Sequence, residues 1–261
     1  MRTKRPFVLL ITTLFVFALL ISFLFVMNIQ KVKISFASDN DEVTEAIQEE
    51  LDQFLGDSLL FFKKEEVSKI IRKYPYFKLE AVSKDFPNVL VVQVVQRRPV
   101  YSCKSGDGKI FLLDKTGFVV DLVTQEEYAN KNIFTIDLAY DNPEVISLVV
   151  GQYVEADDNR LFNSVITMSN SVDLTDCIES IFVRSDKEFR NVVFLTKSGV
   201  RIEISSADVR GEEKIQQAFS SYHNAKDYYK TFDTIKVFIS DEDDSVKCVW
   251  SNMDKHVTEG E

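Results

Sequence analysis

The longest apolar run opens the chain. From Pro6 to Met27 no residue carries charge and nearly all are apolar. A helix needs about 20 such residues to cross the hydrocarbon core of a bilayer. The pattern therefore predicts a transmembrane helix over 6–28, behind a short basic tail at 1–5. Such a helix satisfies its own backbone hydrogen bonds, and Thr12, Thr13 and Ser22 can bond back to its carbonyls. A cleaved signal peptide has a shorter apolar core, about 7–15 residues, with small residues close behind it. Ser35-Phe36-Ala37 resembles such a site but lies beyond Lys31 and Lys33, so an uncleaved anchor is expected. Arg2, Lys4 and Arg5 orient it with the N-terminus in the cytoplasm. The expected location is the cell membrane, single-pass, with most of the chain extracytoplasmic.

Beyond the run, the hydrophobic period changes repeatedly. Ile29–Phe36 alternates, with Val32, Ile34 and Phe36 on one side, and predicts a strand. Asp39 and Asp41 are helix N-cap candidates. Val43, Ile47, Leu51, Phe54 and Leu55 then share one face of an amphipathic helix that Gly56-Asp57-Ser58 ends. A second helix begins near Lys63, with Val67, Ile70, Ile71 and Tyr74 as its apolar face, and Pro75 stops it. Strands follow at Tyr76–Lys84 and Val89–Gln96 around the turn Asp85-Phe86-Pro87-Asn88. The order over 29–98 is β-α-α-β-β, a small α+β unit.

Pro99 marks a boundary. Short strands are expected at Tyr101–Lys104, Lys109–Leu113, Phe118–Leu122, Ile133–Leu138 and Val145–Val150, then a helix at Asp157–Ser171. Further strands are expected at Ile178–Arg184, Asn191–Thr196 and Val200–Ile204, then a helix at Ala207–Lys226. Strands at Thr234–Ile239 and Val246–Trp250 close the unit, joined by Asp241-Glu242-Asp243-Asp244. The region 99–251 thus reads as mostly β with two or three helices, and 252–261 as a tail. The fold class is α+β throughout.

Composition narrows the function. The 261 residues carry a formal net charge of −10. An acidic surface repels phosphate backbones, which argues against a nucleic-acid partner. Cys103, Cys177 and Cys248 are far apart and odd in number, so they define neither a metal site nor a complete disulfide set. Buried free thiols are expected instead.

The stretch from Tyr74 onward carries a resemblance. Tyr74-Pro75-Tyr76-Phe77 precedes a strand, and Asp85-Phe86-Pro87-Asn88-Val89-Leu90 forms a turn. Val91–Val95 leads to Gln96-Arg97-Arg98-Pro99-Val100, and Leu113-Asp114-Lys115-Thr116-Gly117 reads as an early hairpin. In these residues, and in its element order, the chain resembles the FtsQ/DivIB bacterial cell-division proteins. They have a cytoplasmic tail, one membrane helix, a POTRA domain and a β domain. The likeness is strongest up to Gly117. The chain departs from the family pattern at Ala37-Ser38-Asp39-Asn40 and at Gln96, and its cytoplasmic tail is short.

The resemblance implies a non-enzymatic septal scaffold that helps regulate septal peptidoglycan synthesis. It implies FtsB/DivIC-type and FtsL-type single-pass partners, with the bilayer contacted through the N-terminal helix. It places partner binding at the last two strands, where Phe238, Ile239, Asp241 and Trp250 are the candidates. Trp250 is the only tryptophan, and aromatic anchors dominate binding hot spots; it could equally cap the core. A membrane-anchored cell-wall hydrolase and a POTRA-type envelope transport component are the alternatives.

No catalytic set is legible. Gly56-Asp57-Ser58-Leu59 spells an esterase signature, but it follows an amphipathic helix. Neither His223 nor His256 has an aspartate three residues earlier, and a serine without a base is a poor nucleophile. Asp39-Asn40-Asp41-Glu42 lacks a calcium loop's glycine. No phosphate loop, small-molecule substrate site or cofactor motif is present in the sequence.

Overall fold

The computed structural model describes residues 4–36, 41–130, 135–142, 146–172, 177–184, 190–224 and 232–252. The candidate cap Asp39, His256 and the tail beyond 252 lie outside them, as does the departure at 37–40. The chain divides into two compact units, 1–97 and 98–261.

The first unit contains α1 (Lys4–Val26), β1 (Lys31–Phe36), α2 (Asp41–Leu51), a 3-10 turn (Asp52–Phe54), α3 (Lys64–Ile71), β2 (Phe77–Asp85) and β3 (Val89–Gln96). Its sheet runs β1-β3-β2, with β1 parallel and β2 antiparallel to the central β3. Leu90 and Val92 of β3, Ile47 and Leu51 of α2, and Val67 of α3 are fully buried together. These are the apolar positions whose 3.6-residue and two-residue periods give each element one inward face.

The expectation of a membrane anchor is corrected here. Among the described residues no helix is long and apolar enough to cross a membrane. Helix α1 spans Lys4–Val26. The single-pass topology, the membrane location and the extracytoplasmic placement inferred from an anchor fall with that expectation.

The second unit contains β4 (Pro99–Lys104), β5 (Ile110–Asp114), β6 (Val119–Val123), α4 (Gln125–Asn130), β7 (Ile136–Tyr140), β8 (Ile146–Ser147), β9 (Glu155–Ala156) and α5 (Asn159–Ser171). It continues with β10 (Ile178–Val183), β11 (Val192–Thr196), β12 (Arg201–Ile204), α6 (Gly211–Asn224), β13 (Thr234–Ile239) and β14 (Val246–Ser251). Nine strands form one mixed sheet in the order β14-β13-β12-β11-β10-β7-β4-β5-β6. Leu161 and Val165 of α5 and Ile215 and Ala218 of α6 pack into the same core as Phe194, Ile202, Ile235 and Val237 of the sheet.

The helix count and order also depart from expectation. The 3-10 turn Asp52–Phe54 follows α2, and α4 was not foreseen. Thr124 and Glu127 build the start of α4: the Thr124 N–H donates to Glu127 Oε2 at 2.9 Å, and the Glu127 N–H to Thr124 Oγ1 at 3.2 Å. That reciprocal pair is a capping box. Helix α6 begins at Gly211 rather than Ala207 because Ser206 and Arg210 have φ of 46° and 51°, outside the right-handed helical region. Of the extended segment expected at 145–150, residue 145 lies outside the described residues, and among 146–150 only the two residues of β8 form a strand. There the chain turns back, and the Gly151 N–H donates to the Val119 carbonyl at 2.9 Å.

One hairpin governs how α5 meets the sheet. Asp114, buried at the end of β5, accepts from Thr116 N–H at 2.8 Å, Thr116 Oγ1 at 2.6 Å and Phe118 N–H at 3.1 Å through one oxygen. The turn brings Gly117 to φ +77°, with room on its Cα side for the Phe162 ring and for no Cβ.

Candidate partner-binding edge

The hairpin of β13 and β14 pairs antiparallel from Thr234↔Ser251 to Ile239↔Val246. Side chains alternate faces along a strand. Ile235, Val237 and Ile239, with Trp250, Cys248 and Val246 opposite them, face the core. Lys236 and Phe238, with Val249 and Lys247 opposite, occupy the other face. Phe238 is 38% exposed and Val249 46%.

All four residues chosen from the sequence lie on or beside this hairpin, but on different sides of it. Phe238 is exposed on the outward face. Ile239 is half-buried at the core margin, and Asp241 is exposed in the turn. Trp250 points inward: it is half-buried, and its indole N–H donates to Ser221 Oγ of α6 at 2.9 Å. Sequence reasoning missed Val249. Its signal was the alternation itself, since Val249 must face away from Trp250.

The connecting turn is tightly hydrogen-bonded. Lys247 Nζ donates to Asp243 Oδ2, and Ser245 Oγ to Asp243 Oδ1, both at 2.8 Å. The Lys247 ammonium, then the Ser245 hydroxyl and N–H, hold the Asp243 carboxyl well below the usual carboxylate range. Arg210 ties the turn to the start of α6. Its Nη1 donates to the Asp244 carbonyl at 2.6 Å, while Nε and Nη2 grip Glu213 at 2.9 and 2.8 Å. Burial pushes the Cys248 thiol pKa up, away from thiolate chemistry.

The two ends of the large sheet differ. At β6, the Val119 N–H donates to the Gln152 carbonyl at 2.9 Å, and the preceding Phe118 bridges to Tyr153. Segment 151–154 thus pairs with the start of β6, at Phe118 and Val119. At the opposite end, β14 pairs on one side with β13 and has no second strand among the described residues.

Other chemistry is set in structural roles. A cavity of about 750 Å³ lies between α5 and the start of α6, lined by Arg160, Asn163, Ser164, Thr167, Asp208 and Arg210 among others. Its charges pair with one another and with Arg190, whose guanidinium donates to Asp208 and Asp158 at 2.8 Å each. Burial opposes ionisation of Asp158, but the Leu161 N–H and Arg190 outweigh it and hold the carboxyl low. Ser58, the esterase-signature serine, forms a backbone bridge with Asn28, and among the described residues its unit contains no histidine. Among the described residues no cluster of three His, Cys, Asp or Glu is placed to hold a metal.

A scan against protein-family models finds no match, and a search of curated proteins finds none either.

Proposed function

We propose that this chain is a non-enzymatic binding module that captures an extended segment of a partner along β14. The observation that carries this is β14 as the terminal strand of a nine-stranded sheet, presenting Phe238 and Val249 beside it. An edge strand offers backbone donors and acceptors that an added strand can pair, while pockets for alternate side chains give selectivity. Trp250, bonded to Ser221, supports the strand from behind, and Phe238 and Val249 supply the apolar contact.

The physiological setting we propose is the bacterial division machinery, with the chain as a scaffold that helps regulate septal peptidoglycan synthesis. What supports it is the resemblance of Tyr74–Gly117 to the FtsQ/DivIB proteins. The same resemblance supplies FtsB/DivIC-type and FtsL-type proteins as partners.

A site-specific test uses a photo-crosslinking amino acid at Val249, and separately at Leu122 on β6, with a purified FtsB/DivIC-type partner from the same organism. Crosslinks at Val249 and none at Leu122 are expected. The reverse pattern, or crosslinks at neither position, would sink the reading.

A further inference from the structure

The sheet of the first unit has two unlike faces. Val32 of β1, with Leu90, Val92 and Val94 of β3, packs against α2 and α3. Strand register sets the residues of the opposite face side by side. Lys31 lies beside Val89, and Val89 beside Asp85. Lys33 lies beside Val91, and Val91 beside Ser83. Val95, further along β3, lies beside Lys78. Neighbouring strands are about 4.8 Å apart, so these residues form one surface.

Its middle is a ridge of half-buried valines, and its β1 side is basic. Lys31 and Lys33 are exposed there, and no carboxylate of β1 accompanies them. The β2 side is mixed: Lys78 and Asp85 are exposed, as is Glu80 in the bulge of that strand. The ammonium groups of Lys31, Lys33 and Lys78 have no hydrogen-bond or ion-pair partner among the described residues. On the helices the pattern differs, since Lys69 pairs with Glu66 and Lys73 with Glu50. Unpaired cations are thus gathered along one edge of a face in a chain whose net charge is −10.

Charge and width together describe the occupant. Complementary potentials select a segment that carries carboxylates on the flank facing β1. Three strands span about 10 Å between their outer axes, which matches the diameter of one helix. From Val89 to Val95 the ridge runs about 20 Å, the length of about 13 helical residues. An added strand at the β1 edge is disfavoured, because edge lysines guard against it. A second copy would bring the same surplus of lysines to the face and leave it uncompensated. We propose that the outer face of the β1-β3-β2 sheet docks one amphipathic helix of a partner protein, with apolar residues on the valine ridge and acidic residues against Lys31 and Lys33. This site is independent of strand capture at β14.

The test uses the full-length chain and a labelled designed peptide of about 14 residues, with leucines along one helical stripe and glutamates on its flanks. Both molecules are acidic, so general attraction does not bring them together. Fluorescence anisotropy should show binding, and Lys31→Glu/Lys33→Glu should weaken it at least about tenfold. Both lysines are exposed, so that variant should keep the native melting temperature. Lys63→Glu/Lys64→Glu makes the same charge change at the start of α3 and should leave binding nearly unchanged. With the native chain, raising salt from about 0.1 M to about 1 M shortens the screening length from about 10 Å to about 3 Å and should weaken binding too. A photo-crosslinking amino acid at Gln93, exposed on the outer face, should capture the peptide, and one at Glu49 on α2 should not. Absence of binding, equal loss from the two double variants, or capture at Glu49 in place of Gln93 would overturn the proposal. A dimer of the free chain that Lys31→Glu/Lys33→Glu abolishes would assign the face to a second copy and overturn it as well.

Discussion

The Trp250 indole N–H donates to the Ser221 hydroxyl at 2.9 Å, fastening the last strand of the large sheet to its last helix. The ring packs against the core from the margin. Trp250→Ala should therefore cost about 2–4 kcal/mol, near the lower part of the range for large aromatic truncations. Ser221→Ala, which removes only the acceptor, should cost about 1 kcal/mol. Urea titration of both variants checks this, with the midpoint moving and the slope unchanged.

Gly117 stands at φ +77°, and a Cβ there would lie 2.8 Å from Phe162 Cε1. Gly117→Ala must either strain the turn or push Phe162 out of its place in α5. A loss of about 1–3 kcal/mol is expected, read as a lowered melting temperature. Gly199, at φ +84° with open space around it, should tolerate alanine better.

Lys214 is buried, and its ammonium donates to the Ser205 and Ser206 carbonyls at 2.8 and 3.0 Å. Lys214→Met keeps the stem and leaves both carbonyls without that donor. Both serines are exposed and the Ser206 carbonyl keeps the Val209 N–H, so each lost bond costs about 1 kcal/mol, partly offset by removing a buried charge. A net loss of about 1–2 kcal/mol is expected. Hydrogen exchange should quicken at the Val209 amide, whose bond to the Ser206 carbonyl depends on this loop.

Burial pushes the Cys103 thiol up to about 12, with the Asp137 carboxylate adding to the shift. The folded state therefore holds this proton more tightly than the unfolded state does. Its contribution is complete below about pH 9 and is lost as pH rises toward about 12. At one unit above the unfolded value the loss is about 1.4 kcal/mol. Denaturation at pH 8 and pH 10 should show a larger drop for the native chain than for Cys103→Ala. In the folded chain at pH 8, Cys103 should also resist alkylation.

The periodic core was readable because burial follows sequence spacing. Ile47 and Leu51, and Val67 and Ile71, fall on the inward faces their periods predict, whereas Leu55, expected on the same face as Ile47, is exposed. What escaped was set by local backbone geometry. The capping box of Thr124 and Glu127 is only four residues long and lacks an apolar stripe. The late start of α6 depends on positive φ at Ser206 and Arg210, residues for which the sequence offers no warning. At the candidate edge, spacing located the hairpin but not its polarity. Trp250 drew notice for its size, yet it faces Ser221, while the smaller Val249 faces outward.

Capture of a partner strand at β14 is tested most directly by hydrogen exchange on the full-length chain, with and without a purified FtsB/DivIC-type partner. Pairing gives edge amides a hydrogen-bond acceptor and slows their exchange. The account predicts new protection concentrated in 246–251, with Phe238→Glu weakening binding and leaving the melting temperature nearly unchanged. Binding that protects other segments and leaves 246–251 exchanging as in the free chain would contradict it.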